Sequence, residues 1–225
     1  GTGGAEGGGR GGLGARANVD GVEGRASGGY QHQDGAGRID GAAGVTVPAG
    51  DGAVAIDADG HGSRDGQQAG GGANVRISQE ELDLAMRGRG SRNGDAVRGE
   101  GGVTVGVGER GVELAGQGGR RSGHGHGGGS ATLRDGDRSL TVSGDGDAAH
   151  GGQGGGAASV KAGDRWSARV SGRVTRDAEG QTRVRTEAGG QVGDTSGSVH
   201  YEDGSGGGLS VQEVGVVLAQ KGVTL

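Results

Sequence analysis

The sequence predicts a mainly β, low-hydrophobicity, glycine-rich chain. The expected elements are repeated β-hairpins, a C-terminal antiparallel meander, one short helix near 78–88, and extensive loop or disorder. Three observations predict this class. Val-rich segments alternate apolar with small or polar residues and break at Gly-rich turns, which is the period of a strand rather than a helix. Of 225 residues 63 are Gly and one is Pro, there is no Phe, and the aromatics are one Trp and two Tyr. Leu, Ile and Val together supply 35 residues, below the level at which packed domains are common. The net charge is only −5, so the strong charge imbalance of disordered chains is missing.

Taken in order, residues 1–43 are glycine-rich and weakly patterned, with Ile39 the one β-branched aliphatic beyond Val19 and Val22, and they read as a flexible arm. Residues 44–158 form a glycine-rich region with internal similarity. GVTVPAGDGAVAIDADG (44–60) aligns without gaps to GVTVGVGERGVELAGQG (102–118), placing Val45, Val47, Val54 and Ile56 on Val103, Val105, Val112 and Leu114. Each copy reads as a β-hairpin. SLTV (139–142) and GVTL (222–225) repeat only the first strand of that unit.

Between the copies, ISQEELDLAMRGRG (77–90) reads as the helix. Ser78 stands at an N-cap with Glu81 three residues on as a capping box, Ile77 and Leu82 flank it as a staple, and Leu82, Ala85 and Met86 follow at helical spacing. Residues 159–225 read as a β-meander of four or five strands. RWSARVSGRVTR (165–176) puts Trp166, Ala168, Val170, Gly172 and Val174 on one face and Arg, Ser and Thr on the other. DAEG (177–180) is a turn, and QTRVRTE (181–187) returns with Val184 on the apolar side.

Several segments contain residue types that carry chemistry elsewhere. Gly106-x-Gly108-x-x-Gly111 has the spacing of a dinucleotide cradle, but such a site needs a helix after the glycines. Gly116, Gly118 and Gly119 interrupt any helix there, so the glycines are expected to serve a turn. DADGHGSRDGQQ (57–68) offers Asp57, Asp59 and Asp65 as calcium ligands in a loop, with His61 at a fifth position and Gln68 where a bidentate carboxylate belongs. The plainer reading is a solvated acidic turn. His124 and His126 fall on one side of an extended segment and lack a third ligand at helpful spacing.

Arg165, Arg169, Arg173, Arg183 and Arg185 are expected to share one face of a hairpin, a stripe suited to acidic glycans or nucleic-acid phosphates. The alternative is a solvated face that keeps a sheet soluble. No stacking aromatics accompany the stripe, so specific nucleic-acid recognition is not expected.

Zero cysteines exclude disulfides, zinc-thiolate sites and Cys nucleophiles. No nucleophile elbow, phosphate loop or His-Glu-x-x-His occurs, so the chain is not expected to be an enzyme and no cofactor is expected, calcium apart. No apolar run reaches membrane-span length. The opening GTGGAEGGGRGG has neither Met nor an apolar signal core and reads as processed or partial.

The function expected is therefore that of a non-catalytic structural or surface/assembly protein, extracellular or surface-located, with self-association. The alternatives are a polyanion-binding module, calcium-ordered Gly/Asp loops, and an unselected or misassigned reading frame with no defined function, since 21 Arg against 2 Lys is also what GC-rich coding produces.

Overall fold

A computed structural model describes residues 9–33, 36–63, 66–205 and 211–220. Nearly all of them are strand, and the one helical element among them is a single 3₁₀ turn at Ala149–Gly151. The chain divides into two units, Gly1–Val107 with Gly119–Gly123, and Gly108–Gly118 with His124–Leu225.

The first unit is a meander of β1 (Gly9–Val19), β2 (Val22–Gln33), β3 (Ala36–Ala49), β4 (Gly52–Ser63), β5 (Gln68–Gln79), β6 (Leu82–Asn93) and β7 (Ala96–Val107), each antiparallel to the next. The second takes residues 110–118 of β8 (Arg110–Arg121), which run beside β9 (His124–Asp135). β10 (Arg138–Asp147), β11 (Gln153–Ala162), β12 (Trp166–Arg176), β13 (Thr182–Val192), β14 (Thr195–Ser205) and β15 (Val211–Gln220) continue it, again as an antiparallel meander. The C-terminal meander expected over 159–225 is thus five strands, counting β11. Val45↔Ile56 and Val47↔Val54 form the hairpin expected at 44–60. SLTV falls in β10, and GVTL lies outside the described residues.

Two expectations are overturned. The segment expected to be a flexible arm carries β1, β2 and the start of β3; its first eight residues lie outside those described. Pairs such as Ala15↔Ala26 and Ala17↔Gly24 need no bulky side chain, because the ladder is made by backbone N–H and C=O groups.

The helix near 78–88 is not formed. Glu80 and Glu81 are a two-residue turn between β5 and β6, and the supposed N-cap Ser78 pairs with Asp83 across it. Leu82, Leu84 and Met86 are spaced for a strand as well as Leu82, Ala85 and Met86 are for a helix. Partners on both sides decide between the two periods, since Val75↔Met86↔Val103 and Ile77↔Leu84↔Val105 line up across three strands.

Two-residue turns set this register. Gly50, Gly94, Gly108, Gly136 and Gly193 have φ between 56° and 62° and are each followed by Asp or Glu at ordinary φ, the pattern of a type II′ turn. Asp20-Gly21 and Ser122-Gly123 have both φ values positive, as in type I′. Both types twist in the sense that strands need. Glu80, at φ 43°, takes a position that the other II′ turns give to glycine. In the longer DAEG connection the Gly180 amide donates to the Asp177 carbonyl (3.1 Å), and the Gln181 amide donates to Asp177 Oδ1 (2.7 Å).

Because pairing is in register, one face of each unit is apolar. In the first unit the rows across the strands run Val47↔Val54↔Ile77↔Leu84↔Val105, then Val45↔Ile56↔Val75↔Met86↔Val103, then Ala43↔Ala58↔Ala73↔Gly88↔Gly101, then Gly41↔Gly60↔Gly71↔Gly90↔Gly99. Side-chain size falls along the strands from aliphatic to Ala to Gly. The second unit repeats the gradient. Leu133↔Leu140↔Val160↔Ala168 is followed by Ala131↔Val142↔Ala158↔Val170↔Ala188, and then by Gly129↔Gly144↔Gly156↔Gly172. Trp166 and Val184 lie on this apolar side, as the alternation of β12 and β13 predicts.

Among the described residues no hydrophobic side chain is buried, and Leu13 (87%) and Val192 (69%) are largely exposed. Within each unit the side chains shelter one another across strands, yet many of the large described ones stay exposed.

The glycine rows are close approaches rather than fillers. A Cβ on Gly71 would lie 2.6 Å from the Asp59 carbonyl oxygen, and one on Gly190 would lie 2.8 Å from that of Ser167. Gly88, by contrast, has nothing within 4 Å. We therefore expect Gly71→Ala to destabilise by about 1–3 kcal/mol, as overpacking does, and Gly88→Ala to be neutral or to stabilise by up to about 1 kcal/mol. Urea midpoints of the two variants measure this contrast. Glu80→Gly should raise stability, because removing the Cβ from a residue held in the left-handed region relieves about 1–2 kcal/mol while glycine's added chain entropy returns about 0.5–1 kcal/mol. A lower urea midpoint than wild type would contradict the strained turn.

Candidate functional site

The polar face opposite the aliphatic rows carries the charged residues, and in places it uses glycine to let them meet. Arg25, Gly44 and Asp57 are consecutive in one row across β2, β3 and β4, and Arg25 Nη2 donates to Asp57 Oδ1 at 2.5 Å over the missing side chain. A Cβ on Gly44 would collide with that carboxylate and lie 2.9 Å from Arg25 Nε. The same arrangement recurs with Asp145, Gly155 and Arg173 (3.2 Å) and with Asp59, Gly72 and Arg89 (3.8 Å). Directly paired strands place charges about 5 Å apart, whereas these pairs reach over a whole strand. All three are solvent-exposed, so each contributes about 0–1 kcal/mol and acts chiefly on register.

Asp57 and Asp59, expected in a calcium loop, therefore lie on β4, where each faces an arginine on the polar face. The correction has a plain cause: alternating Asp-Ala-Asp continues the strand begun by Ala53–Ile56. His61 is on the same face opposite Asp40, and Asp65 lies outside the described residues. Among the described residues no three His, Asp or Glu side chains converge on a common point. His124 and His126 open β9 on one face, with His126 opposite Asp147. Gly108 occupies a turn and Gly106 and Gly111 lie in strands, so Gly106-x-Gly108-x-x-Gly111 precedes no helix.

The arginine stripe is assembled in part. Arg169 and Arg173 on β12 and Arg183 and Arg185 on β13 share the polar face, with Arg173 directly opposite Arg185. Arg165 instead lies in the connection before β12, where its carbonyl accepts a hydrogen bond from the Gly193 amide (2.6 Å). Carboxylates interleave the stripe: Asp145 pairs with Arg173, and Glu202 lies opposite Arg185. They offset the repulsion between the facing arginines and divide what the sequence read as a continuous basic surface.

A feature that the sequence did not single out overlaps the stripe at Arg169. A shallow trough of ≈ 440 Å³ crosses β11 to β14. Ser159, Arg169, Gly189 and Ser198 form one row of it, and Lys161 and Gln191 belong to the next. The Ser-x-Lys, Ser-x-Arg and Gly-x-Gln spacings are visible in the sequence, but only the register makes them neighbours. On the opposite, apolar face Tyr201 stands two residues from the buried Asp203, and its phenol is pushed above the usual 10.0 by burial and then by the Asp203 carboxylate.

No helix among the described residues is long and apolar enough to cross a membrane. Comparison with known proteins gives no match: no family model, no curated protein and no solved structure matches this chain.

Two outcomes follow from these contacts. A double-mutant cycle on Arg25→Gln and Asp57→Asn should give a coupling of up to about 1 kcal/mol that fades at high salt and is absent in a Gly44→Ala background. In a Tyr30→Phe variant, ultraviolet titration of Tyr201, the one remaining tyrosine, should give a midpoint above 10.0, and Asp203→Asn should lower it. The raised value means that the folded state holds the neutral phenol. Its contribution to stability is complete below pH 10.0 and is lost as pH rises through the folded midpoint.

Proposed function

We propose that this chain is a non-catalytic structural protein that assembles by covering its apolar sheet face with the same face of another copy. The observation that carries the reading is an apolar face with no layer over it: no hydrophobic side chain is buried among the described residues, while aliphatic rows cross every strand of the first unit from β3 to β7. A sheet with one apolar face is stable when that face is packed against another layer, and contiguous exposed apolar patches mark interaction surfaces.

A second copy fits because the face is graded. Stacked head to tail, the Val, Ile and Leu rows of one copy lie over the Ala and Gly rows of the other, giving a layer of even thickness near the ~10 Å spacing of packed sheets. The charged rows then remain on the outside, where they keep the assembly soluble. Backbone hydrogen bonding and small side chains supply the mechanism, and no nucleophile or acid–base pair is called upon.

Sedimentation over a wide concentration range tests this. Assembly should increase with concentration, and Ile77→Lys, in the middle of the aliphatic rows, should weaken self-association by at least about tenfold, because a charge would be buried without a partner. Thr104→Lys, on the polar face of the same sheet, should leave it unchanged. A chain that stays monomeric throughout and binds no apolar dye would rule the reading out.

A further inference from the structure

We propose that the trough across β11 to β14 binds an anionic sugar, a mono- or disaccharide bearing one sulfate or phosphate. The proposal concerns the polar face of the second unit and stands apart from assembly through the apolar face.

Its two cations are placed for one oxyanion. Ser159 pairs with Arg169 and Lys161 with Ser167, so Lys161 and Arg169 are diagonal neighbours on adjacent strands. Diagonal side chains begin about 7–8 Å apart, within reach of a shared anion for two long flexible cations. Like charges at this spacing repel, and an anion between them offsets that repulsion. Asp164, in the turn after β11, lies 3.4 Å from the Lys161 ammonium but is itself almost fully exposed, so an incoming oxyanion can replace it.

The rest of the lining is neutral, and apart from Val160, Ala168 and the glycines it suits hydroxyl groups. Ser159 and Ser198 offer donor–acceptor hydroxyls at the two ends of one row, and Gln191 offers an amide. Between Arg169 and Ser198 the row is Gly189, so the floor is backbone; a Cβ there would lie 3.2 Å from the Gly197 carbonyl oxygen.

Four strands at 4.7–4.9 Å spacing span about 14 Å, and ≈ 440 Å³ lies within the range of small-ligand sites. Trp166 is on the opposite face, so the trough has no aromatic platform for a neutral sugar or a nucleobase. Charge for the oxyanion and hydrogen bonds for the ring are what this lining supplies.

The test is amide chemical-shift titration of the full chain with glucose 6-sulfate, glucose 6-phosphate, glucose and inorganic sulfate. Both anionic sugars should give saturable shifts confined to residues 159–169 and 189–198, at least about tenfold tighter than either sulfate or glucose. Lys161→Gln and Arg169→Gln, exposed substitutions that leave the ladder intact, should each weaken binding by about ten- to a hundredfold. Gly189→Val should abolish it by filling the floor while keeping both cations. Arg173→Gln, outside the trough and engaged with Asp145, should change nothing.

Equal binding of inorganic sulfate would reduce the site to an adventitious ion only and overturn the proposal. So would equal binding of glucose, an Arg173→Gln effect as large as that of Arg169→Gln, or no localised shifts with any of the four. A stronger response to the sulfate than to the phosphate sugar, or the reverse, assigns the oxyanion and leaves the inference standing.

Discussion

Strand register is the constraint on which everything else in this protein depends. No hydrophobic side chain among the described residues is buried, so no core exists to hold a misaligned strand in place. A slip of one residue would send every apolar side chain to the opposite face. Two-residue turns prevent it, because a type I′ or II′ turn admits one alignment of the strands it joins. The turn glycines and the Asp or Glu after them therefore specify much of the apolar face and the charged rows, and Gly193-Asp194 aligns β13 with β14 beneath the trough.

Glycine does two further things in these sheets. In the apolar rows it lets neighbouring backbones come closer than a Cβ permits, as at Gly71 and Gly190. On the polar face it opens a gap through which an arginine and a carboxylate two strands apart can meet, as over Gly44 and Gly155. Ordering so much glycine is entropically costly. The return is a ladder in which nearly every backbone group is paired and charged contacts skip across strands. Each such contact is weak, and their shared effect is to favour one register over its neighbours.

The two faces then divide the chemistry. The aliphatic rows, graded in size and uncovered, account for the proposal of self-assembly. The opposite face, where arginines alternate with carboxylates, keeps the surface mixed in sign. Where the carboxylates give way to serines and a glycine, between Lys161 and Ser198, the same face becomes a concavity with local positive charge. The predicted anionic-sugar site is thus a local departure from the pattern and requires no additional element of the fold.

Much of the β architecture was legible in the sequence. Alternation in 44–60 and in 165–187 identified the hairpins and their apolar sides, and DAEG identified its turn. The strand array was legible too, though a reading centred on the long Val-rich repeat passes over it. β5 to β10 begin at Gln68, Leu82, Ala96, Arg110, His124 and Arg138, a step of fourteen residues each time, with a turn dipeptide before each strand from β6 on. The sequence read ISQEELDLAMRGRG as a helix because its local signals, cap and spacing, favour one. Only the aliphatic partners at Val75, Ile77, Val103 and Val105 draw it into strands.

By itself the sequence determined the strand period, the turn chemistry and the absence of cysteine chemistry, all of which are local. Which charges meet, that Asp57 faces Arg25 over Gly44, and that Lys161, Arg169 and Gly189 share a trough were decided by tertiary structure. Those contacts join residues far apart in the chain through cross-strand pairing, and a one-residue change of register would move every one of them.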